Sequence, residues 1–323
     1  MRVLVIGGAG YIGSVAVKKL IKNGYDVVVL DTLYSSAIDP KAKFYQGDLK
    51  NTFLVSKILR SEKIGAVMHF AASSLVSESV KKPLKYYDNN VTGMISLLKA
   101  MIDAQVKYLI FSSTAAVYGI PKVEKITEDT PLEPINPYGD SKMMMERIMS
   151  WADKANGIKS IALRYFNVAG AADNGSFGEA HEHETHLIPV LLKSALKGDG
   201  KFTIFGDDYN TKDGTNVRDY VEVNDLIEAH ILALIRLVKT NKSDVFNLGT
   251  SQGYSNLEIV KAAIKVTGID IPYTFGPRRG GDPDILVADS TKARDILGWE
   301  PKHEDIEDII SSAWKWHKNT AKN

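Results

Sequence analysis

Short runs of aliphatic and β-branched residues alternate, through the first half of the chain, with longer stretches of helical period. The runs at 2–7, 26–30, 43–47, 66–71, 108–113 and 160–167 are apolar almost throughout, the pattern of strands buried on both faces of a parallel sheet. Between them the spacing predicts helices over 11–23, 51–62, 84–104 and 137–156. Met94, Leu97, Leu98 and Met101, for example, fall on one face of such a helix. Strand–helix units repeated in this way predict an α/β fold with a doubly wound parallel sheet.

The pattern changes after Asn167. The stretch 170–185 is rich in glycine, charge and histidine and has no period. Beyond it the sequence predicts a helix over 186–197, strands at 202–205 and 217–221, a helix over 224–239, a strand at 245–248, and helices over 255–267 and 304–317. We expect a first domain in 1–170 and a smaller α+β lobe in 171–323, with segments near 215–250 returning to the first domain. Neither an internal repeat nor a low-complexity linker is evident.

Composition narrows the class. A chain of 323 residues is long for one hydrophobic core, and with 44% hydrophobic and 24% charged residues it reads as soluble and globular. A net charge of +1 supplies no field that would draw nucleic acid or an anionic membrane. The absence of cysteine removes disulfides, zinc–thiolate sites and cysteine nucleophiles together. The apolar run after Arg2 ends at Gly7, too short for a signal peptide, and no later run reaches the ~18–20 residues of a spanning helix. The expected location is the cytoplasm.

Chemistry enters with Gly7, Gly10 and Gly13, which follow the first predicted strand and open a helix. Missing side chains there allow a tight turn, close approach of backbone to a pyrophosphate and close helix–strand contact, the marks of a Rossmann dinucleotide site. Asp31 ends the second strand, where a carboxylate accepts from ribose hydroxyls and repels a 2′-phosphate; no arginine follows it closely, which favours NAD over NADP. Asp48, ending the third strand, is placed to meet the adenine amino group or to cap the helix near Thr52.

A second constellation lies in the segment INPYGDSK. Asn136 is a good N-cap, Pro137 fits the first helical position, and Tyr138 and Lys142 then share one helix face. For Tyr138 to act as a base near neutrality its pKa must fall by ~3 units from ≈10, or ~4 kcal/mol. A lysine charge ~5 Å away at an effective dielectric of ~20 supplies roughly 3 kcal/mol. Desolvation opposes it, so the tyrosine is expected to become competent mainly when oxidised, positively charged NAD is bound. Ser112, Ser113 and Thr114 end the fifth strand, and Thr114 can hydrogen-bond the oxygen that loses its proton; the alternative is that these hydroxyls satisfy a strand-to-loop turn.

Together these residues resemble the extended short-chain dehydrogenase/reductase family, and in it the enzymes that invert C4 of UDP-hexoses. The likeness runs over almost the whole chain, through GGAGYIG, KPLKYYDNNVTG, YGDSK, LRYFNVAGA, ETHLIP, DGTNVRDYVEVNDL and PRRGGDP. It implies that Thr114, Tyr138 and Lys142 form a catalytic triad. It implies that Tyr11, Ile12, Leu49, Phe70, Ala71 and Ala72, with Asn90, Tyr165 and Lys142, meet NAD. It implies that Asn167, His186, Leu187 and Asp282 meet the UDP-sugar and that Arg218 and Arg279 grip its diphosphate, a task suited to the guanidinium fork. The implied reaction takes proton and hydride from C4 and returns them to the other face of a transient 4-keto sugar, in a homodimer that pairs through helices near 84–104 and 137–156.

Departures from the pattern matter too. Sugar-nucleotide dehydratases and decarboxylases of this fold carry an acidic residue just after the Ser/Thr, where this chain has Ala115 and Ala116. Ser74 and His186 replace a lysine and an asparagine of some members, and Leu286 stands where a wall residue bears on acceptance of N-acetyl sugars. A reductase, or a 4-epimerase of UDP-N-acetylhexosamines, UDP-xylose or UDP-glucuronate, is compatible with these motifs. A non-catalytic NAD sensor would not need the hydroxyl, tyrosine and lysine together. The segment 181–186 lacks the H-E-x-x-H spacing, so no metal is expected, and it reads as a substrate-covering loop.

Overall fold

A computed structural model describes residues 1–35, 38–173, 175, 177–179, 184–198 and 202–320. Six strands arise in the first half: β1 (Arg2–Ile6), β2 (Asp26–Asp31), β3 (Lys43–Gln46), β4 (Ala66–His69), β5 (Tyr108–Thr114) and β6 (Lys159–Tyr165). Seven more follow: β7 (Asn167–Ala169), β8 (Phe202–Phe205), β9 (Val217–Glu222), β10 (Asp244–Leu248), β11 (Gly253–Ser255), β12 (Tyr273–Gly276) and β13 (Ile285–Leu286). The main sheet is seven-stranded and parallel, in the order β10-β6-β5-β4-β1-β2-β3. Strand order reverses between β1 and β4, and this leaves a crevice at their carboxyl ends.

Alternation along β1 shows how the two faces are built. Val3 and Val5 pack with Val15, Leu20, Leu226 and Leu234 on one side, while Leu4 and Ile6 pack with Val55, Leu97 and Met145 on the other. Helices Tyr11–Lys22 and Val223–Thr240 cover the first face; Thr52–Ser61, Gly93–Asp103 and Pro137–Asn156 cover the second. Each fully buried Val, Leu or Ile in these layers contributes about 1.5–3 kcal/mol relative to exposure. Outside the sheet, β9 pairs with β11, β13 and β7, and β12 pairs with β8. Helices Leu187–Lys197, Asn256–Thr267 and Ile306–Thr320 enclose a core of their own around Leu191, Ile259 and Ile310. Within 215–250, β10 joins the main sheet and Val223–Thr240 covers one of its faces, whereas β9 belongs to the small sheet.

The expected helix over 84–104 is not continuous. Pro83–Tyr86 is α-helical, Tyr87–Thr92 is a π-turn, and Gly93–Asp103 resumes the α-helix. The wider turn brings Asn90 inward, and pairing that side chain offsets the poorer backbone geometry. Strands β7 and β11 to β13, of two to four residues, were too short to show a period. Among the described residues no helix is long and apolar enough to cross a membrane.

Candidate active site

The crevice is the mouth of a cleft of about 1510 Å³ that runs from the glycine-rich loop, past the ends of β4 and β5, to β9 and β13. Gly7 has φ +82°, and a Cβ on it would lie 2.6 Å from the Ala71 nitrogen; a Cβ on Gly13 would lie 2.0 Å from the Gly7 carbonyl oxygen. Gly10 differs, since its Cβ would meet only the Gly7 oxygen at 3.6 Å. The helix Tyr11–Lys22 begins on Gly10 with no side chain capping its first N–H groups. Open space at Gly10 and an uncapped helix start are what a dinucleotide pyrophosphate requires.

Asp31 lines the same cleft. Its Oδ2 accepts from the Ala9 N–H at 2.9 Å and its Oδ1 from the Leu33 N–H at 3.2 Å, which fixes the carboxylate while each oxygen keeps a lone pair for a ribose hydroxyl. Asp48, Leu49, Phe70, Ala71 and Ala72 line the cleft beside it, as do Tyr11, Ile12 and Tyr165. Tyr11 is tethered by its hydroxyl to the Gly170 carbonyl at 2.7 Å. The capping alternative for Asp48 does not hold: Asn51 caps the helix Thr52–Ser61, accepting from the Leu54 N–H at 3.0 Å.

Thr114, Tyr138 and Lys142 meet at the end of β5 and all line the cleft. The helix Pro137–Asn156 starts as its sequence predicts, with Asn136 accepting from the Gly139 N–H at 2.9 Å and Pro137 in the first turn. Thr114 Oγ1 accepts from the Ala116 N–H at 3.1 Å, which leaves the hydroxyl proton for Tyr138, its hydrogen-bonding partner. Lys142 Nζ donates to the Ser112 carbonyl at 2.7 Å and lies 4.8 Å from the centre of the Phe111 ring.

Burial governs the resting protonation states. It raises the Tyr138 phenol above its ordinary value, with the Thr114 hydrogen bond opposing. It lowers Lys142 to about 7, with Glu146 opposing. In the cofactor-free chain burial rather than the lysine thus sets the state of the phenol, in keeping with the expectation that desolvation opposes its ionisation. Of the three hydroxyls it is Thr114 that also satisfies the turn after β5; Ser113 Oγ donates to Glu146, and the Ser112 hydroxyl bonds Tyr165.

On the far wall, Arg218 is buried and already oriented. Its Nη2 donates to Asp282 Oδ1 at 2.5 Å and its Nη1 to the Val217 carbonyl at 2.7 Å, while Asn216 Nδ2 holds Asp282 Oδ2 at 2.9 Å. Arg279 is exposed, with its guanidinium 4.3 Å from the centre of the Phe205 ring. Asn167, His186, Leu187, Asp282 and Leu286 also line the cleft. Burial would lower His186, but Glu179 at 2.8 Å and Glu184 at 3.0 Å raise it to about 10 and hold an imidazolium. Those ion pairs account for the closeness of the three side chains. Residues 181–183 of the expected covering loop lie outside the described residues.

The sequence profile of the NAD dependent epimerase/dehydratase family matches residues 3–249. The chain belongs to this family. It is 76% identical to a UDP-glucose 4-epimerase of Lactobacillus helveticus over 325 aligned positions, covering 100% of this chain and 98% of that protein. A crystal structure of a UDP-glucose 4-epimerase superposes with a TM-score of 0.97 at 48% identity, covering 100% of this chain and 99% of the other. The UDP-glucose 4-epimerase of Bifidobacterium longum, solved with NAD+ and UDP, superposes with a TM-score of 0.92 at 38% identity over 99% of each chain.

Two positions in this family member, Gly139 and Glu146, escape sequence inspection, and a third, Asn90, is misplaced by it. Gly139, inside the YGDSK segment, packs its first helical turn against the turn after β5; a Cβ there would lie 2.4 Å from the Ala116 oxygen. Without that approach Tyr138 could not reach Thr114. Asn90, expected to meet the cofactor, does not line the cleft. It is buried behind the wall, accepting from the Ser73 N–H at 2.9 Å and donating to the Ser73 carbonyl at 3.1 Å and to Ser141 Oγ at 3.0 Å. The π-turn turns it away from the ligand and towards the helix Pro137–Asn156. Glu146 lies one turn beyond Lys142, half-buried, paired with Arg164. A carboxylate at that helical spacing from the lysine was the available signal.

Proposed function

We propose that this chain is an NAD-dependent 4-epimerase that interconverts UDP-glucose and UDP-galactose. The observation that carries the proposal is a hydroxyl–phenol–ammonium set, Thr114, Tyr138 and Lys142, in the cleft that also holds the glycine-rich loop and Arg218. The names of the relatives above support it. Alanine at 115 and 116 adds to it, since neither supplies the carboxyl group that elimination or decarboxylation of a keto sugar needs.

When bound, NAD supplies the acceptor and later donor of the C4 hydride. Tyr138 takes the proton of the C4 hydroxyl, and the Thr114 hydroxyl steadies the oxygen that loses it. Loss of this proton and of a hydride leaves a 4-keto sugar, and return of both to the opposite face inverts C4 with no net redox change. Arg218, pre-oriented by Asp282, anchors the diphosphate while the sugar turns. The cationic His186 and the exposed Arg279, stacked over Phe205, add charge on the same wall.

Purified protein incubated with UDP-galactose and no added cofactor should form UDP-glucose, resolved by chromatography. No conversion, even with NAD⁺ added, overturns the proposal. Running UDP-N-acetylgalactosamine beside it reads the effect of Leu286, which faces the cleft next to Arg218 in register.

The proposal extends to a cytoplasmic homodimer. Exposed Leu84, Ile95, Ile102, Met144 and Trp151 on the two adjoining helices support the pairing. Sedimentation at the monomer mass at micromolar concentration would remove that part. It also extends to the division of labour, with NAD held by 1–170 and returning segments near 215–250, and the sugar nucleotide by 171–323.

A further inference from the structure

Three consecutive residues of β5 each hold one rung of a single helix face. Thr114 bonds Tyr138, the Ser112 carbonyl accepts from Lys142 Nζ at 2.7 Å, and Ser113 Oγ donates to Glu146 Oε1. Tyr138, Lys142 and Glu146 are spaced one turn apart, so the strand and the helix are locked in one register.

The third rung is the most elaborately held. Arg164 on β6 grips Glu146 with a fork, Nε to Oε2 at 3.2 Å and Nη2 to Oε2 at 2.6 Å, and Nε also reaches Oε1 at 3.1 Å. Both side chains are nearly sealed from solvent, at 6% and 11% exposure. Arg164 Nη1 continues to the Tyr118 hydroxyl at 2.9 Å, which donates to Asn247 Oδ1 on β10 at 2.7 Å. One ionic network thus joins the helix to β5, β6 and β10. A buried ion pair of this kind is weak evidence for stability, because desolvation offsets its attraction. Its placement one turn from Lys142 asks for another reason.

We propose that Glu146 is a positioning residue for the reaction: its carboxylate, pinned to β5 and β6, sets the register that brings Tyr138 to Thr114, and it stands one helical turn from Lys142 as the counter-charge to its ammonium. The proposal rests on the reading of Tyr138 as the base and Lys142 as its partner. The other groups around Lys142 cannot take over this role. Tyr138 and Tyr165 carry no charge at rest, and burial pushes both phenols up. His69 at the end of β4 is kept neutral by burial, at about 3, and His230, beside the Ser112 hydroxyl, at about 4. Arg164 is a cation and works against a second one. Glu146 is the anion that favours the ammonium.

Glu146→Gln keeps the size and most of the hydrogen bonds and removes the charge. We expect kcat for UDP-galactose to fall about tenfold or more with KM nearly unchanged. Removing a negative charge lowers the pKa of its neighbours, so the alkaline limb of the kcat profile should move down by about one pH unit. Glu146→Asp keeps the charge and retracts it from Ser113, so kcat should fall with the limb in place. A merely structural Glu146 would lower the melting temperature and leave the limb of Glu146→Gln where the wild type has it, and that result overturns the proposal. Should Glu146→Gln yield no folded protein, an unchanged kcat in Glu146→Asp overturns it equally. Wild type and Tyr138→Phe run alongside. An inactive wild type, or an active Tyr138→Phe, would sink the function itself and this inference with it; an active wild type and inactive Tyr138→Phe beside an unmoved limb would sink the inference alone.

Discussion

Lys142 should destabilise the very fold that holds it. In the cofactor-free chain it is buried and titrates at about 7 in place of 10.5. Between those values the unfolded chain binds more protons than the folded one, so stability contributed at this site rises with pH across the window and is least below 7. A lysine so shifted costs about 4 kcal/mol at pH 7 and about 2 kcal/mol at pH 9. Lys142→Met removes that cost, retains the apolar stem packed near Phe111, and leaves the Ser112 carbonyl without its donor. The lost hydrogen bond takes back about 1–3 kcal/mol. Cofactor-free Lys142→Met should therefore be more stable than wild type by about 2 kcal/mol at pH 7, and about equal to it at pH 9. Urea unfolding of refolded, NAD-free protein at the two pH values measures this. Other titrating groups cancel in the difference between the two proteins. A difference that is the same at both pH values would refute the claim that burial depresses Lys142.

Three further outcomes follow from the site. Gly10→Ala should leave the melting temperature near wild type but lower NAD retention, because its Cβ meets only the Gly7 oxygen at 3.6 Å; Gly13→Ala, with 2.0 Å to the same atom, should lose both. Full NAD content per chain in purified Gly10→Ala would contradict the pyrophosphate assignment. Tyr138→Phe should keep fold and NAD while turnover falls by several hundred-fold, about the range for losing a general base. Arg218→Lys keeps the charge but loses the fork that spans Asp282 and a phosphate, so KM for UDP-galactose should rise about tenfold with kcat little changed. An unchanged KM removes Arg218 as the anchor.

Much of this site was legible because its parts are local. The glycine spacing, Asp31 at a strand end, and Asn136-Pro137 opening a helix each follow from a few adjacent residues, and each is where the sequence put it. What escaped was set by distant partners. Asn90 faces inward because of a π-turn whose cause lies in Ser73 and Ser141, not in the period of 84–104. Arg164 reads as one more residue of a buried strand until Glu146 is seen opposite it. The protonation of Tyr138 and Lys142 could not be read either, since burial rather than spacing decides it. Gly139 was in plain view within the motif, but only the approach of the Ala116 oxygen shows why no side chain fits.

The placement of β10 beside β6 bears on how the chain comes into being. A ribosome that has released residues 1–170 has delivered six of the seven strands, but not Val223–Thr240, whose Leu226, Leu234 and Leu237 cover one apolar face. At 5–20 residues per second, the missing strand and helix arrive roughly 4–15 seconds later. For that interval Ile110, Ile161 and Leu163, on the strands beyond the reach of Tyr11–Lys22, lie bare on a sheet with an unpaired edge at β6, the kind of surface on which nascent chains aggregate. Lesions in Val223–Thr240, remote from the sugar, would then register as lost yield in the cell before they register as lost turnover in the assay.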